Sequence, residues 1–170
     1  AAVVERHGTS APSTSDVASC NYVARRFGVR NGMSLQRAQA LCPGVRTLPY
    51  AFEAYRATSR QFYEALVHVA DAIQVVSVDE ALLDMSHALP ALLRGDGHPL
   101  ADRFDAHKHL GVAALGEAVR DLIRSATQCE ASVGIGANIL QARLATRLAK
   151  PSGTHAVSDT QLTLPTPERE

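Results

Sequence analysis

The spacing of apolar and polar positions changes period several times along the chain, and each change marks an element. Ile73–Val76 and Ala81–Met85 are short, apolar and partly alternating, as half-buried strands are, and Ala131–Ile135 reads as a further apolar strand. Phe52, Tyr55, Phe62, Leu66, Val69 and Ile73 fall roughly on one face at helical spacing, which predicts a long amphipathic helix over 52–70. Further helices are expected over 18–27, stopped by Gly28, and over 35–41, ended by Pro43-Gly44. Two more are expected over 110–126 and over 138–149, the last closed by Pro151. Ser15 or Asp16 is positioned to cap the first of these. Ala1–Arg6 and Val45–Pro49 read as extended. Residues 7–15 form a Ser/Thr/Pro/Gly loop, and 90–109, rich in Gly, Asp, His and Pro, read as a surface insertion.

The resulting order is strand, helices, strand pair, helix, strand, helix. It predicts an α+β fold: a ferredoxin-like split β-α-β sheet with helices on one face and a small helical insertion near the start. One sheet is expected to hold Ala1–Arg6, Ile73–Ser77, Ala81–Met85 and Ala131–Ile135, with residues 16–47 standing off it as a helical lobe.

Within the strand pair lies Ser77-Val78-Asp79-Glu80, two adjacent carboxylates in an apolar setting. Burying such a pair is costly unless positive charge compensates it. Divalent metal ions are the usual compensation, and magnesium takes one or two carboxylates together with phosphate oxygens and water. The tetrapeptide equally suits a polar hairpin turn with solvated acids.

Charge sharpens the picture. The net charge is zero, but from Val17 to Arg60 there are seven arginines against the single acid Glu53. From Glu64 to Asp105 there are eight acids against Arg94 and Arg103, and Arg143, Arg147 and Lys150 restore positive charge. Basic flanks around an acidic centre suit a phosphate-bearing ligand held over metal ions, although solvated helix faces of differing charge would give the same counts. At 170 residues the chain is long enough for one domain, or one plus a small subdomain. No stretch is apolar and long enough to span a bilayer, and no secretory or transit pattern opens the chain. Cys20, Cys42 and Cys129, widely spaced and odd in number, read as reduced intracellular thiols used as small core residues.

Three further groups carry candidate chemistry. Ser19, Tyr22 and Arg25 are spaced i, i+3, i+6 and would share a face if 18–27 is helical. A hydroxyl, a phenol and a guanidinium there would make a polyphosphate clamp; the alternative is a packed Tyr22 and a solvated Arg25. Lys150 either complements a helix C-terminus or leans over the same phosphates. Gly134-Ile135-Gly136 lacks the fuller glycine fingerprint of a phosphate loop and reads as a tight strand-to-helix turn. His98, His107 and His109 lie in the polar insertion without a fixed third or fourth ligand, and read as solvated.

The segment Ala18-Ser19-Cys20-Asn21-Tyr22-Val23-Ala24-Arg25-Arg26-Phe27-Gly28-Val29-Arg30-Asn31-Gly32-Met33 resembles the fingers of Y-family translesion DNA polymerases, and within them the eukaryotic deoxycytidyl transferase branch. The resemblance continues through Leu41-Cys42-Pro43, Leu48-Pro49-Tyr50, Phe52-Glu53-Ala54-Tyr55 and Ser77-Val78-Asp79-Glu80-Ala81. It resumes with Ala131-Ser132-Val133-Gly134-Ile135-Gly136, Asn138-Ile139-Leu140 and Ala149-Lys150-Pro151, so that it covers 15–153 apart from the insertion.

The resemblance implies fingers at 16–50, palm at 1–15 and 51–153 with an insertion at about 87–109, and an unmatched, disordered tail at 154–170. It implies that Asp79 ligates catalytic Mg²⁺ ions and that Glu80 lies beside the primer terminus. Ser19, Tyr22, Arg25 and Lys150 would bind the incoming triphosphate. The implied reaction transfers dCMP from dCTP to a primer 3′-hydroxyl opposite template G or an abasic site, by a two-metal mechanism. The implied partners are primer–template DNA and other translesion polymerase subunits, in the nucleus, with no membrane role.

Three family features are expected upstream of Ala1: the first metal-binding aspartate, the aromatic gate against ribonucleotides, and the segment whose arginine replaces the template base. The thumb and little-finger regions are not matched either, so the chain is expected to be an inactive fragment of fingers and palm. The alternatives are a non-catalytic remnant that binds nucleotide or protein, and an unrelated ferredoxin-like nucleotidyl cyclase palm.

Overall fold

A computed structural model describes residues 1–6 and 15–157. The chain divides after Ala54 into two compact units. Of the loop expected at 7–15 and the disordered tail expected at 154–170, residues 7–14 and 158–170 lie outside the described residues.

In the first unit, strand β1 (Val3–Arg6) lies between β2 (Val17–Cys20) and β3 (Arg46–Leu48), antiparallel to the former and parallel to the latter. Glu5 faces Ser19 but Arg6 faces Val17, so Ala18 is an extra residue and β2 carries a bulge. The bulge breaks the two-residue alternation: Val17 and Cys20 are both buried, three apart. Burial at Val17, Cys20 and Ala24 thereby imitates a helical stripe. This corrects the helix expected over 18–27, whose first three residues are strand. The helix proper, α1, is Tyr22–Arg26.

Its cap is Asn21 rather than Ser15 or Asp16. The Asn21 Oδ1 accepts from Ala24 N–H at 3.0 Å and from Val3 N–H at 3.1 Å, and its Nδ2 donates to the Ala1 carbonyl at 3.0 Å. One side chain thus starts the helix and ties it to β1. Gly28, at φ +86°, ends the turn that follows. Helix α2 (Leu35–Leu41) is capped by Ser34, whose side chain accepts from Arg37 N–H. Val4, Val17, Val29 and Leu35 fill the core of this unit together with the buried thiols Cys20 and Cys42.

Helix α3 (Phe52–Val67) runs into the second unit. Of the face expected on it, Phe62 and Leu66 pack in the core, whereas Phe52 is exposed and stacks on Tyr50 at 4.9 Å. A hairpin follows: β4 (Ala72–Val75) and β5 (Ala81–Asp84) pair antiparallel, Ala72 opposite Asp84 and Val75 opposite Ala81.

The stretch expected as a surface insertion is instead two short helices, α4 (Ala88–Arg94) and α5 (Ala101–Ala106). Leu92, Leu100 and Phe104 are all buried in the core of the unit. The polar Gly, Asp and His residues between them serve as caps and turns around those anchors. His107 bonds Asp121 at 2.7 Å and is half-buried, so it is not solvated as its composition suggests.

Helix α6 (Ala113–Thr127) buries Ala114, Leu115, Ala118, Val119 and Ile123. A β-α-β unit completes the fold: β6 (Ser132–Ile135), α7 (Ile139–Ala149) and β7 (Gly153–Ala156), the strands parallel. Residues 154–156, expected in the tail, are therefore strand. Cys129 is exposed, not a core thiol.

The expected α+β elements are present, but they do not form one sheet. Among the described residues the strands group as β2–β1–β3 in the first unit and as the pairs β4–β5 and β6–β7 in the second. In the second unit the two pairs share a core instead, through Ile73 and Leu83 on one side and Val133 and Ile135 on the other.

Candidate functional site

Asp79 and Glu80 occupy the exposed tip of the β4–β5 hairpin. Local hydrogen bonds shape the turn. Val76 N–H and Ser77 N–H both donate to the Glu80 carbonyl, at 2.9 and 3.1 Å. The Ser77 hydroxyl donates to Asp79 Oδ1 at 2.7 Å, turning that carboxylate back over the turn. From α3, the Tyr63 hydroxyl reaches the carbonyls of Ser77 and Glu80, at 2.5 and 2.9 Å. Burial raises the Tyr63 pKa, and the charges of Asp79 and Glu80 push it the same way, so the phenol stays protonated and remains a donor.

Helix α7 contributes positive charge. Arg143 Nη2 stands 3.7 Å from Glu80 Oε1, with both side chains about half exposed. Lys150, exposed, closes α7 seven residues later, about two turns along and so on the same side as Arg143. The approach of α7 to the sheet is set by glycine. A Cβ on Gly134 would strike the Ala142 carbonyl and the Thr146 amide, and one on Gly136 would strike Gln141. Neither glycine has positive φ. Gly134-Ile135-Gly136 is therefore less a tight turn than a bare strip on which a helix lies close.

In the first unit, Ser19 is an exposed residue of β2 opposite Glu5, and so shares no helical face with the other two. Tyr22 and Arg25 do meet on α1: the guanidinium carbon lies 5.9 Å from the Tyr22 ring centroid. Arg25 Nε also donates to the Cys20 carbonyl at 3.0 Å, and Nη2 to Asn31 Oδ1 at 3.4 Å.

Two functional candidates were not legible as such. Arg143 was visible only as part of a basic helix; its seven-residue offset from Lys150 is the signal that could have singled it out. Tyr63 carries no local signal, since its partners are 14 and 17 residues away.

Residues 1–147 match the impB/mucB/samB family. The chain is 43% identical over 145 residues to the DNA repair protein rev1 of Schizosaccharomyces pombe, covering 85% of this chain and 14% of that protein. It is 38% identical over 152 residues to the DNA repair protein REV1 of Arabidopsis thaliana, covering 89% of this chain and 12% of that one. It thus spans about one seventh of the length of these relatives. Among solved structures, an insertion ternary complex of Dbh DNA polymerase has the same fold: TM-score 0.73 and 24% identity, over 94% of this chain and 42% of that one.

Proposed function

The chain belongs to the impB/mucB/samB family, that of the Y-family DNA polymerases, and from this premise we propose that it forms the fingers and most of the palm of a translesion deoxycytidyl transferase. The nucleotidyl cyclase alternative falls with the family match. The observation that carries the proposal is the adjacent Asp79–Glu80 pair, exposed at a hairpin tip that a distant tyrosine buttresses. Substrates of the reaction are dCTP and a primer–template, with dCMP added opposite template G or an abasic site. The setting is the nucleus, with other translesion polymerase subunits as partners.

The donor set fits Mg²⁺: two adjacent carboxylates offer hard oxygen ligands in an accessible position. Asp79 and Glu80 would hold the ion, which when bound would stabilise the attacking and leaving oxygens of an in-line displacement. The remaining work belongs to the protein. Arg25 supplies a planar donor fork for a triphosphate. Its present partners are a carbonyl and an amide oxygen, both neutral, and a charge-assisted bond to phosphate is stronger than either. Tyr22 lines the same face of α1, and Ser19 adds a hydroxyl from β2. Lys150 acts as a point charge on the phosphates from the palm, and Arg143 keeps a cation beside Glu80.

The second reading is a non-catalytic module that binds nucleotide or a protein partner. The 170 residues by themselves are expected to bind triphosphate without extending a primer. Titration calorimetry with nucleotide and Mg²⁺ tests the site. Arg25→Ala should weaken dCTP binding roughly tenfold or more, the loss of one charge-assisted contact, and Lys150→Ala should do likewise. Arg103→Ala, on α5, should change little. The cations engage phosphate, so dCTP, dGTP and dATP should bind about equally. Equal losses for Arg25→Ala and Arg103→Ala would reduce the clamp to general positive charge.

A further inference from the structure

The turn that carries the two carboxylates is closed by its own hydrogen bonds and tied to α3 by one tyrosine. Its closure rests on the Glu80 carbonyl, which faces the Val76 amide, the Ser77 amide and the Tyr63 hydroxyl at 2.9, 3.1 and 2.9 Å. A carbonyl oxygen has two lone pairs for these three donors, and a phenol has one proton for the two carbonyls it reaches. The hydroxyl therefore sits between the two ends of the turn and ties one or the other of them to α3 at any moment. By contrast, the Ser77–Asp79 bond is internal and moves with the turn, and the Arg143–Glu80 pair, at 3.7 Å, is loose.

We infer that Tyr63 is a positioning residue for the Asp79–Glu80 pair: its hydroxyl fixes the backbone from which both carboxylates project, so that a divalent cation meets them already ordered. This rests on the metal-binding reading of the hairpin tip and names the residue that sets its geometry. The hydroxyl is anchored on a rigid element. Its ring is half-buried on α3 and meets Phe62 edge-on at 5.0 Å, and Leu66, one turn further on, is buried in the core. Ordering the ligand-bearing turn before the ion arrives removes an entropic cost from binding, as preorganisation does elsewhere.

The test uses the whole chain with Tyr63→Phe, which keeps the ring and removes one oxygen. Amide hydrogen exchange at Val76 and Ser77 reports on the turn, because their acceptor is the carbonyl that Tyr63 holds. Mn²⁺, which takes the same oxygen ligands and is visible by electron paramagnetic resonance, reports on the carboxylates. Tyr63→Phe should speed exchange at both amides about fivefold, the loss of one neutral hydrogen bond, and weaken Mn²⁺ binding by a similar factor. Arg60→Ala, on the exposed side of α3, should do neither. Unchanged exchange would overturn the inference, and so would faster exchange with unchanged Mn²⁺ affinity, which is what a purely structural hydroxyl would give. Asp79→Asn separates the two levels: if it leaves Mn²⁺ binding intact, the metal-site reading itself falls and takes the role of Tyr63 with it.

Discussion

The two units hold their candidate residues in opposite ways. Arg25 is tethered locally, to Cys20 and Asn31, five and six residues away, and to the ring of Tyr22 on the same short helix. Asp79 and Glu80 are held at long range, by Tyr63 from α3 and Arg143 from α7. A local tether of neutral hydrogen bonds is cheap to exchange for a ligand, so the arginine is free to swing onto a phosphate. A hairpin tip whose backbone is hydrogen-bonded from a packed helix, α3, inherits the rigidity of the core beneath it. Damage to the core of the second unit should therefore reach the carboxylates, whereas damage near α1 should stay local.

The most severe way to break this contrast is Gly134→Ala. The added methyl would meet the backbone of α7 at Ala142 and Thr146, which cannot rotate away, so the helix must lift off β6. Overpacking of this kind should cost about 3 kcal/mol, seen as a lower urea midpoint with an unchanged slope. Because α7 carries Arg143 and Lys150, triphosphate and Mn²⁺ binding should weaken with it. Gly44→Ala in the first unit, where nothing lies within 4 Å of the new methyl, should be nearly silent. A neutral Gly134→Ala would mean that the close approach of helix to strand is not what requires glycine there.

That contrast also explains what could be read from the residues. The hairpin was legible because two local signals agreed: apolar flanks and a polar tip at the right separation. Pro151 after α7 was legible as a local signal too. Residues 18–27 were not, because a bulge at Ala18 gives a strand the burial spacing of a helix. Residues 90–109 were misjudged because their many turn-forming residues outweighed Leu92, Leu100 and Phe104, which anchor the segment in the core. Of the site, Asp79, Glu80, Tyr22 and Arg25 stood out by residue type. Tyr63 did not, since its role depends on which carbonyls lie over its hydroxyl, and that is settled only by packing.

A milder substitution, Asn21→Ala, probes the local side of the comparison. It removes the acceptor for Ala24 N–H and the two side-chain bonds that join the cap to Ala1 and Val3. Loss of a helix cap typically costs about 1 kcal/mol, and here about 2 kcal/mol is expected, because two more bonds go with it. Exchange should quicken at Ala24 and Arg25, and dCTP affinity should fall, while the amides of Val76 and Ser77 keep their protection. Faster exchange at those two amides would show that damage at α1 does not stay local, and the contrast would need revision.

The smallest effect expected is electrostatic and sharpens the account of the second unit. Glu130 is held at a pKa of about 2, first by its hydrogen bonds from Arg124, then by Ser152 and by the charges of Arg124 and Arg120. Asp121 is lowered as well, chiefly by its bond to His107. A carboxylate whose pKa is depressed by folding contributes stability that is complete above its unfolded value, near 4.5 for Glu130, and is lost as pH falls towards 2. Glu130→Gln removes that contribution, so the variant should melt below the parent at pH 6 and converge with it near pH 2. The gap at pH 6 should be modest and should shrink with added salt, since Glu130 and Arg124 are both substantially exposed. Melting curves of the two proteins across that pH range are decisive. A gap that is the same at every pH would assign the effect of Glu130 to packing, and not to its charge.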